Sequence, residues 1–180
     1  MTIEKVRQKI NQHNISYWQS YGGNPATVSD CDFYIAVLSE KKGEFQDCIV
    51  LIDNYLPILD DLSTVLDGCV ADFNLIPKRA NITDVMRECQ IFDMDNVSSR
   101  YRDWADKFFD NVEKSMRSAD DTSNKCKQKS NELKNLQNAC TEMISAIEDR
   151  IIQLEDLKIQ IQAREDSSNG GGSTHGASDF

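Results

Sequence analysis

The sequence predicts an all-α protein: an elongated, coiled-coil-like antiparallel helical hairpin with short accessory helices. Three observations support this fold class. Apolar residues recur at alternating spacings of three and four along two long segments. A segment containing proline and turn-forming residues separates them. Charged residues make up 28% of the chain, a share that suits long helices with wide solvated faces.

The N-terminal region, residues 1–28, is predicted to hold one short helix followed by an aromatic loop. Apolar residues repeat at helical spacing across residues 2–14. Glycine and proline then end the helical pattern. The loop carries Tyr17, Trp18 and Tyr21, which we expect to pack back onto the long helices because exposed aromatic clusters are uncommon. The alternative is an exposed adhesive patch.

The hairpin itself, residues 29–164, is predicted to begin with a long helix whose N-cap is Thr27 or Ser29. Its heptad stripe is unbroken and comprises Phe45, Cys48, Ile52, Tyr55, Leu59, Leu62, Leu66, Cys69 and Phe73. Pro57 lies inside this stripe. Because the periodicity resumes in phase beyond the proline, we expect a kink there and not a helix terminus.

A connection at residues 74–98, with a predicted short helix at 82–91, leads into a second long helix from about Ser99 to Arg164. Its stripe comprises Phe109, Val112, Met116, Ala119, Ser123, Cys126, Ser130, Leu133, Leu136, Cys140, Met143, Ile147, Arg150, Leu154, Leu157 and Ile161. The remaining tail, residues 165–180, is rich in Asp, Ser, Asn and Gly. We expect it to be flexible because it cannot bury enough apolar surface to become ordered.

Chemistry-bearing residues are scattered, and their spacing matches no catalytic or metal-binding motif. The six cysteines lack any Cys-x-x-Cys pair, and four of them, Cys48, Cys69, Cys126 and Cys140, fall on the apolar stripes. We therefore expect reduced core thiols. There is also no Gly-rich phosphate loop, nucleophile elbow or His-Glu-x-x-His motif. The sequence predicts a protein that is not an enzyme and has no cofactor or metal.

The charge balance restricts the choice of partner. A formal net charge of −10 disfavours nucleic acid and anionic membranes, because both require basic patches. The longest apolar run, residues 49–52, is far too short for a transmembrane segment. The first residues contain no apolar signal-peptide region. We expect a chain that is cytoplasmic when made and that is exported, if at all, without a cleaved signal peptide.

A hairpin of two helices has a thin core, so each stripe is expected to have one side uncovered. This predicts pairing with another helical protein or with a second copy, as a dimer. A self-contained bundle of three or four helices is the alternative fold. The partner-binding residues predicted on the second stripe are Leu133, Leu136, Met143, Ile147, Leu154, Leu157 and Ile161.

Residues 101–109, Tyr-Arg-Asp-Trp-Ala-Asp-Lys-Phe-Phe, place Trp104 at the start of the second long helix, after a heptad helix and a connection. This plan, over about residues 29–164, resembles the small helical WXG-type substrates of type VII secretion and the helical partners of LXG toxins. Asp106 stands where the family's Trp-x-Gly motif has glycine.

The resemblance implies a hairpin that dimerises, or that sheathes the helical targeting domain of a toxin and presents an export signal. The aromatic-x-x-x-acidic signal of that family would correspond to Phe109 and Glu113, and Trp104 would join the partner-binding residues. We therefore expect a non-enzymatic helical adaptor or targeting partner, either a type VII secretion substrate or a toxin-associated chaperone. A self-associating structural coiled-coil protein is the alternative.

Overall fold

The computed structural model describes residues 2–75 and 95–169, and within the latter range it gives only the helical backbone for 95–102 and 168–169. Every regular element in these ranges is a helix, which confirms the predicted all-α class. The elements in chain order are α1 (Ile3–Gln12), α2 (Ile15–Gln19), α3 (Val28–Asn74) and α4 (Asp95–Asn169). The long helices α3 and α4 pack against each other, as the predicted hairpin requires.

The beginnings of the first three helices are set by side-chain caps. The Thr2 and Asn14 side chains accept hydrogen bonds from backbone N–H groups in the first turns of α1 and α2. The hydroxyl of Thr27 accepts from the backbone N–H of Asp30 at 3.1 Å, so Thr27 is the N-cap of α3. α3 then continues through Pro57, which confirms that the proline does not end the helix.

Three details of the predicted helices were wrong, and the first is the start of α4, which lies at Asp95 and not near Ser99. The aromatic segment holds a second short helix, α2, which begins three residues after α1 ends. The C-terminal helix extends to Asn169, so residues 165–169, predicted to be part of a flexible tail, are helical. The predicted short helix at 82–91 and the tail residues 170–180 lie outside the described ranges.

The chain divides into two packed units. Unit 1 consists of Met1–Asn54 and Leu133–Phe180, and unit 2 of Tyr55–Glu132. α3 and α4 each contribute to both units.

Unit 1 contains the apolar core. Three polar contacts across its α3–α4 seam, Asp32–Lys158 (2.5 Å), Lys42–Glu148 (2.7 Å) and Asp53–Gln137 (2.5 Å), show that the helices run antiparallel. The two residue numbers of each pair add up to 190, so the register is constant. Between these pairs the seam is filled by Leu38, Phe45, Cys48, Ile52, Cys140, Met143, Ile147 and Leu154, all buried. This burial supplies the main stabilisation of the unit.

Two of the N-terminal aromatic residues, Trp18 and Tyr21, pack onto α3 as expected from the sequence, whereas Tyr17 is 38% exposed and stacks on His13. Trp18 is buried, with its ring edge-on to Phe45 at a centroid distance of 6.1 Å. Tyr21 meets Tyr34 edge-on at 5.9 Å. Edge-to-face contacts of this kind add to the free energy gained by burying the rings. They fix α2 against the N-terminal half of α3.

The turn between α2 and α3 is held by a buried arginine of α4. Arg150 donates from Nε to the carbonyl of Tyr21 at 2.9 Å, and from Nη2 to the carbonyl of Gly23. Gly22 in this turn has φ +76°, a left-handed conformation that glycine adopts without strain. The Gly22 backbone also lies directly against the ring of Tyr34.

The α3–α4 seam of unit 2 is polar. The hydroxyl of Ser130 donates to the Asp60 carboxylate at 2.8 Å, and that of Ser123 donates to the Asp67 carboxylate at 2.5 Å. Lys127 pairs with the second oxygen of Asp67 at 2.7 Å. Ser123 and Ser130 are fully or almost fully buried, and a buried hydroxyl is costly unless it is hydrogen-bonded. These contacts therefore determine which side of α3 faces α4.

The heptad stripe predicted for α3 is wrong at three positions in unit 2. Tyr55, Leu62 and Cys69 are exposed, and Ser63 is buried in their place. The reason is the polar seam, because Asp60 and Asp67 must face α4 to accept their hydrogen bonds. This turns the Tyr55–Leu62–Cys69 edge outward. The stripe predicted for α4 is confirmed, because each of its positions is buried or half-buried.

Two glycine-to-alanine variants should change stability in opposite directions. Gly22→Ala should lower the free energy of unfolding by about 1–3 kcal/mol, because the added Cβ would lie 2.6 Å from the Tyr34 ring on a left-handed backbone. Gly68→Ala in α3 should raise the free energy of unfolding by about 0.5–1 kcal/mol, because alanine loses less conformational entropy than glycine when the helix forms. The added Cβ would meet nothing within 4 Å, so no clash offsets this gain. Chemical denaturation followed by circular dichroism measures both, and equal effects would contradict the turn geometry.

The Asp67 contacts should appear in the pH dependence of stability. A hydrogen bond from Lys127, and a smaller contribution from Ser123, lower the pKa of Asp67 below its ordinary value of 3.8. The resulting stabilisation is complete above that value and is lost as the pH falls through the lowered pKa. The stability difference between wild type and Asp67→Asn, measured by denaturation at pH 7 and again in acid, should therefore shrink in acid. Asp61→Asn, which removes a carboxylate that has no partner among the described residues, should change stability little at pH 7.

Candidate interaction surface

The seam residues predicted to bind a partner lie mostly inside unit 1. Leu133, Met143, Ile147 and Leu154 are buried, and Leu136, Leu157 and Ile161 are half-buried. The fully buried members face α3 of the same chain, so they can meet a partner only if this packing opens. The surface that a partner could reach in the folded chain is therefore formed by other residues.

The three residues suggested by the family resemblance differ in their exposure. Trp104 is 58% exposed and stacks on Phe108, with ring centroids 5.5 Å apart. Phe109 is buried, whereas Glu113 is exposed and pairs with Arg117 at 3.6 Å. Trp104 is therefore available for contact in unit 2. Phe109 and Glu113 are not displayed together at the surface.

The most extensive exposed apolar surface among the described residues of unit 2 runs along α3. We call it the α3 stripe: Tyr55, Ile58, Leu62, Val65 and Cys69. These residues alternate at spacings of three and four, which places them on one side of the helix. The four large side chains are between 43% and 61% exposed. An apolar heptad row of this kind matches the seam of a helix pair, yet no described residue covers it.

A shallow groove of about 440 Å³ lies between α3 and α4 of unit 2. Leu66 lines it from α3. Its α4 side is formed mainly by small side chains: Ser115, Ser118, Ala119 and Thr122, with Lys114 beside them. Small side chains on one wall leave room for the backbone of another helix to approach closely.

The rim of the α3 stripe is acidic. Asp61 lies beside the row, three residues after Ile58 and four before Val65, whereas Asp72 continues the row at its C-terminal end, three residues after Cys69. Both carboxylates are exposed, and neither forms a hydrogen bond or ion pair with a described residue. From Gly43 to Asn74, α3 has seven acidic residues and no lysine or arginine. The stripe is therefore apolar along its centre, and it is negatively charged beside Asp61 and at its C-terminal end.

The surface of unit 2 presents an exposed apolar row, a groove and, among the described residues, carboxylates without a partner. Among the described residues, no group of three or more His, Cys, Asp or Glu side chains is arranged to hold a metal ion. The described helices also contain no stretch both long and apolar enough to cross a membrane.

Sequence reasoning placed Tyr55, Leu62 and Cys69 in the seam and did not single out Ile58 or Val65. A signal for the exposed stripe was present. Apolar residues occur in adjacent pairs at 58–59, 65–66 and 69–70. Adjacent positions on a helix point about 100° apart, so such pairs give an apolar arc wider than one seam can cover.

The cysteines confirm part of the thiol prediction. Cys31, Cys48, Cys126 and Cys140 are free and buried, whereas Cys69 is free but exposed on the α3 stripe, contrary to the prediction. Cys48 and Cys140 are hydrogen-bonded neighbours in unit 1. Burial, with a smaller contribution from Cys48, raises the pKa of Cys140 to about 12.

Alkylation should therefore distinguish the thiols. Iodoacetamide at pH 8 should modify Cys69 in the folded chain much faster than Cys140, because only the thiolate reacts and burial both blocks access and disfavours that form. Peptide mapping by mass spectrometry gives the rate for each cysteine separately. In denaturant the difference should vanish. Equal rates in the folded chain would contradict the exposed position of Cys69.

No protein-family model, curated protein or solved structure matches the chain. A helical fold alone is compatible with many functions, so the exposed surface is the feature of this chain that bears on its function.

Proposed function

We propose that this chain is a non-enzymatic helical adaptor that binds a helix of another protein through the α3 stripe. The observation that carries the proposal is the exposed heptad row Tyr55, Ile58, Leu62 and Val65, next to a seam that is already filled. Contiguous exposed apolar surface with a polar rim is typical of interaction sites. Fully burying a Leu, Ile or Val side chain gains about 1.5–3 kcal/mol, so this row offers a sizeable driving force for association.

The proposal extends to type VII secretion, in which the chain would be a secretion substrate or a toxin-associated chaperone. The resemblance of residues 101–109 motivates this part, and the exposed, stacked pair Trp104 and Phe108 supports it. An aromatic pair at the surface of unit 2 adds a second apolar contact point for a helical partner. A structural coiled-coil protein that associates with itself through the α3 stripe is the alternative.

Removing the apolar character of the stripe should abolish partner capture. The test variant is Ile58→Ser with Val65→Ser, both exposed in unit 2. The matched control is Val50→Ser with Ile159→Ser, equally exposed in unit 1. Neither pair removes a core residue, so helicity should be unchanged. Affinity purification from the native host, with quantitative mass spectrometry, should show a protein lost by the test variant and kept by the control.

The captured protein, or a co-expressed LXG-type toxin, must then rebind the purified wild-type chain and not the test variant. The expected loss of affinity is roughly a hundredfold, since each tenfold step corresponds to about 1.4 kcal/mol. The adaptor proposal fails if the wild type, the test variant and the control retain the same proteins. Light scattering that shows a homo-oligomer disrupted only by the test variant would favour the self-associating alternative.

A further inference from the structure

We propose that the occupant of the α3 stripe is a single amphipathic α-helix, from a different protein, that carries lysine or arginine along the edge facing Asp61 and Asp72. This inference rests on the proposed function and specifies the chemistry of the partner.

The dimensions of the surface suit one helix. The α3 stripe extends over fourteen residue steps from Tyr55 to Cys69, which is about 21 Å or roughly four helical turns. Its apolar residues keep the heptad spacing that packs against a second apolar stripe. The groove beside Leu66 continues this surface toward the small residues of α4. A helix lying there would contact both long helices of unit 2 and complete a three-helix arrangement.

The carboxylates beside the stripe favour a partner helix that carries positive charge. Asp61 and Asp72 border the apolar row and have no partner among the described residues. A lysine or arginine at the flanking position of a docked helix would meet these carboxylates, whereas a glutamate there would be repelled. Lys114 on the opposite wall of the groove is likewise without a partner. The complementary helix is therefore basic along the edge that faces Asp61 and Asp72 of α3.

A second copy of this chain fits the surface poorly. In a symmetric dimer whose two α3 stripes pack antiparallel, the edge that carries Asp61 would face the same edge of the partner. No basic residue between Gly43 and Asn74 is available to neutralise that contact, and each copy carries a net charge of −10. Like charges placed opposite each other disfavour association.

Two designed peptides test the inference with the full chain. Both are helices about three heptads long with identical apolar positions, and they carry either lysine or glutamate at the flanking positions. Fluorescence anisotropy should show the lysine peptide binding at least about tenfold more tightly than the glutamate peptide, with the difference reduced at high ionic strength. The bound lysine peptide should slow the alkylation of Cys69, which places it on the α3 stripe.

Variants separate the two parts of the surface. Asp61→Asn with Asp72→Asn should remove most of the preference for the lysine peptide. Asp149→Asn with Asp156→Asn is the matched control, because it removes two exposed carboxylates of unit 1 that have no partner among the described residues, and it should keep the preference. Ile58→Ser with Val65→Ser should abolish the binding of both peptides.

Several results would overturn the inference: failure of the lysine peptide to bind, equal affinity for both peptides, an unchanged preference in the Asp61/Asp72 variant, or full binding by the Ile58/Val65 variant. A host partner captured through the stripe whose contacting helix lacks a basic edge would also overturn it, while leaving the adaptor function intact. If no partner depends on the stripe, the proposed function fails as well.

Discussion

Two hydrogen bonds from buried serine hydroxyls to aspartate carboxylates determine how α3 is oriented in unit 2. Ser123 and Ser130 are buried on α4, and Asp67 and Asp60 accept hydrogen bonds from their hydroxyl groups. A buried hydroxyl is costly unless it is hydrogen-bonded, and these two are bonded only with the carboxylate edge of α3 turned toward α4. α3 therefore turns its carboxylate edge toward α4, and its widest apolar edge is left facing outward.

Most of the fold could be predicted because the stripe on α4 is unambiguous. Its residues from Phe109 to Ile161 are buried or half-buried, including the polar ones, Ser123, Ser130 and Arg150. Here the spacing alone identifies the side that faces α3. The second accessory helix was missed because α2 has only five residues, too few to show a period.

The stripe on α3 could not be placed in the same way. Periodicity gives the spacing of apolar residues but not the choice between two adjacent rows, and beyond Pro57 this helix has two. Leu59 and Leu66 on one row are half-buried, and Leu62 and Val65 on the other are exposed. Which row faces α4 depends on serines in another part of the chain, and helical spacing within α3 carries no information about them. The candidate surface was hidden from sequence analysis for the same reason.

The serines inside unit 2 also affect how tightly its two helices are held together. Ser63, Ser123 and Ser130 fill interior positions of the kind that Phe45, Ile147 and Leu154 fill in unit 1. Hydroxyl pairs specify alignment but contribute less to cohesion than buried hydrocarbon does. Transient local opening should therefore cost less in this seam, and an added apolar helix would supply cohesion where the chain itself provides least. In such a protein, binding and local folding would be thermodynamically coupled.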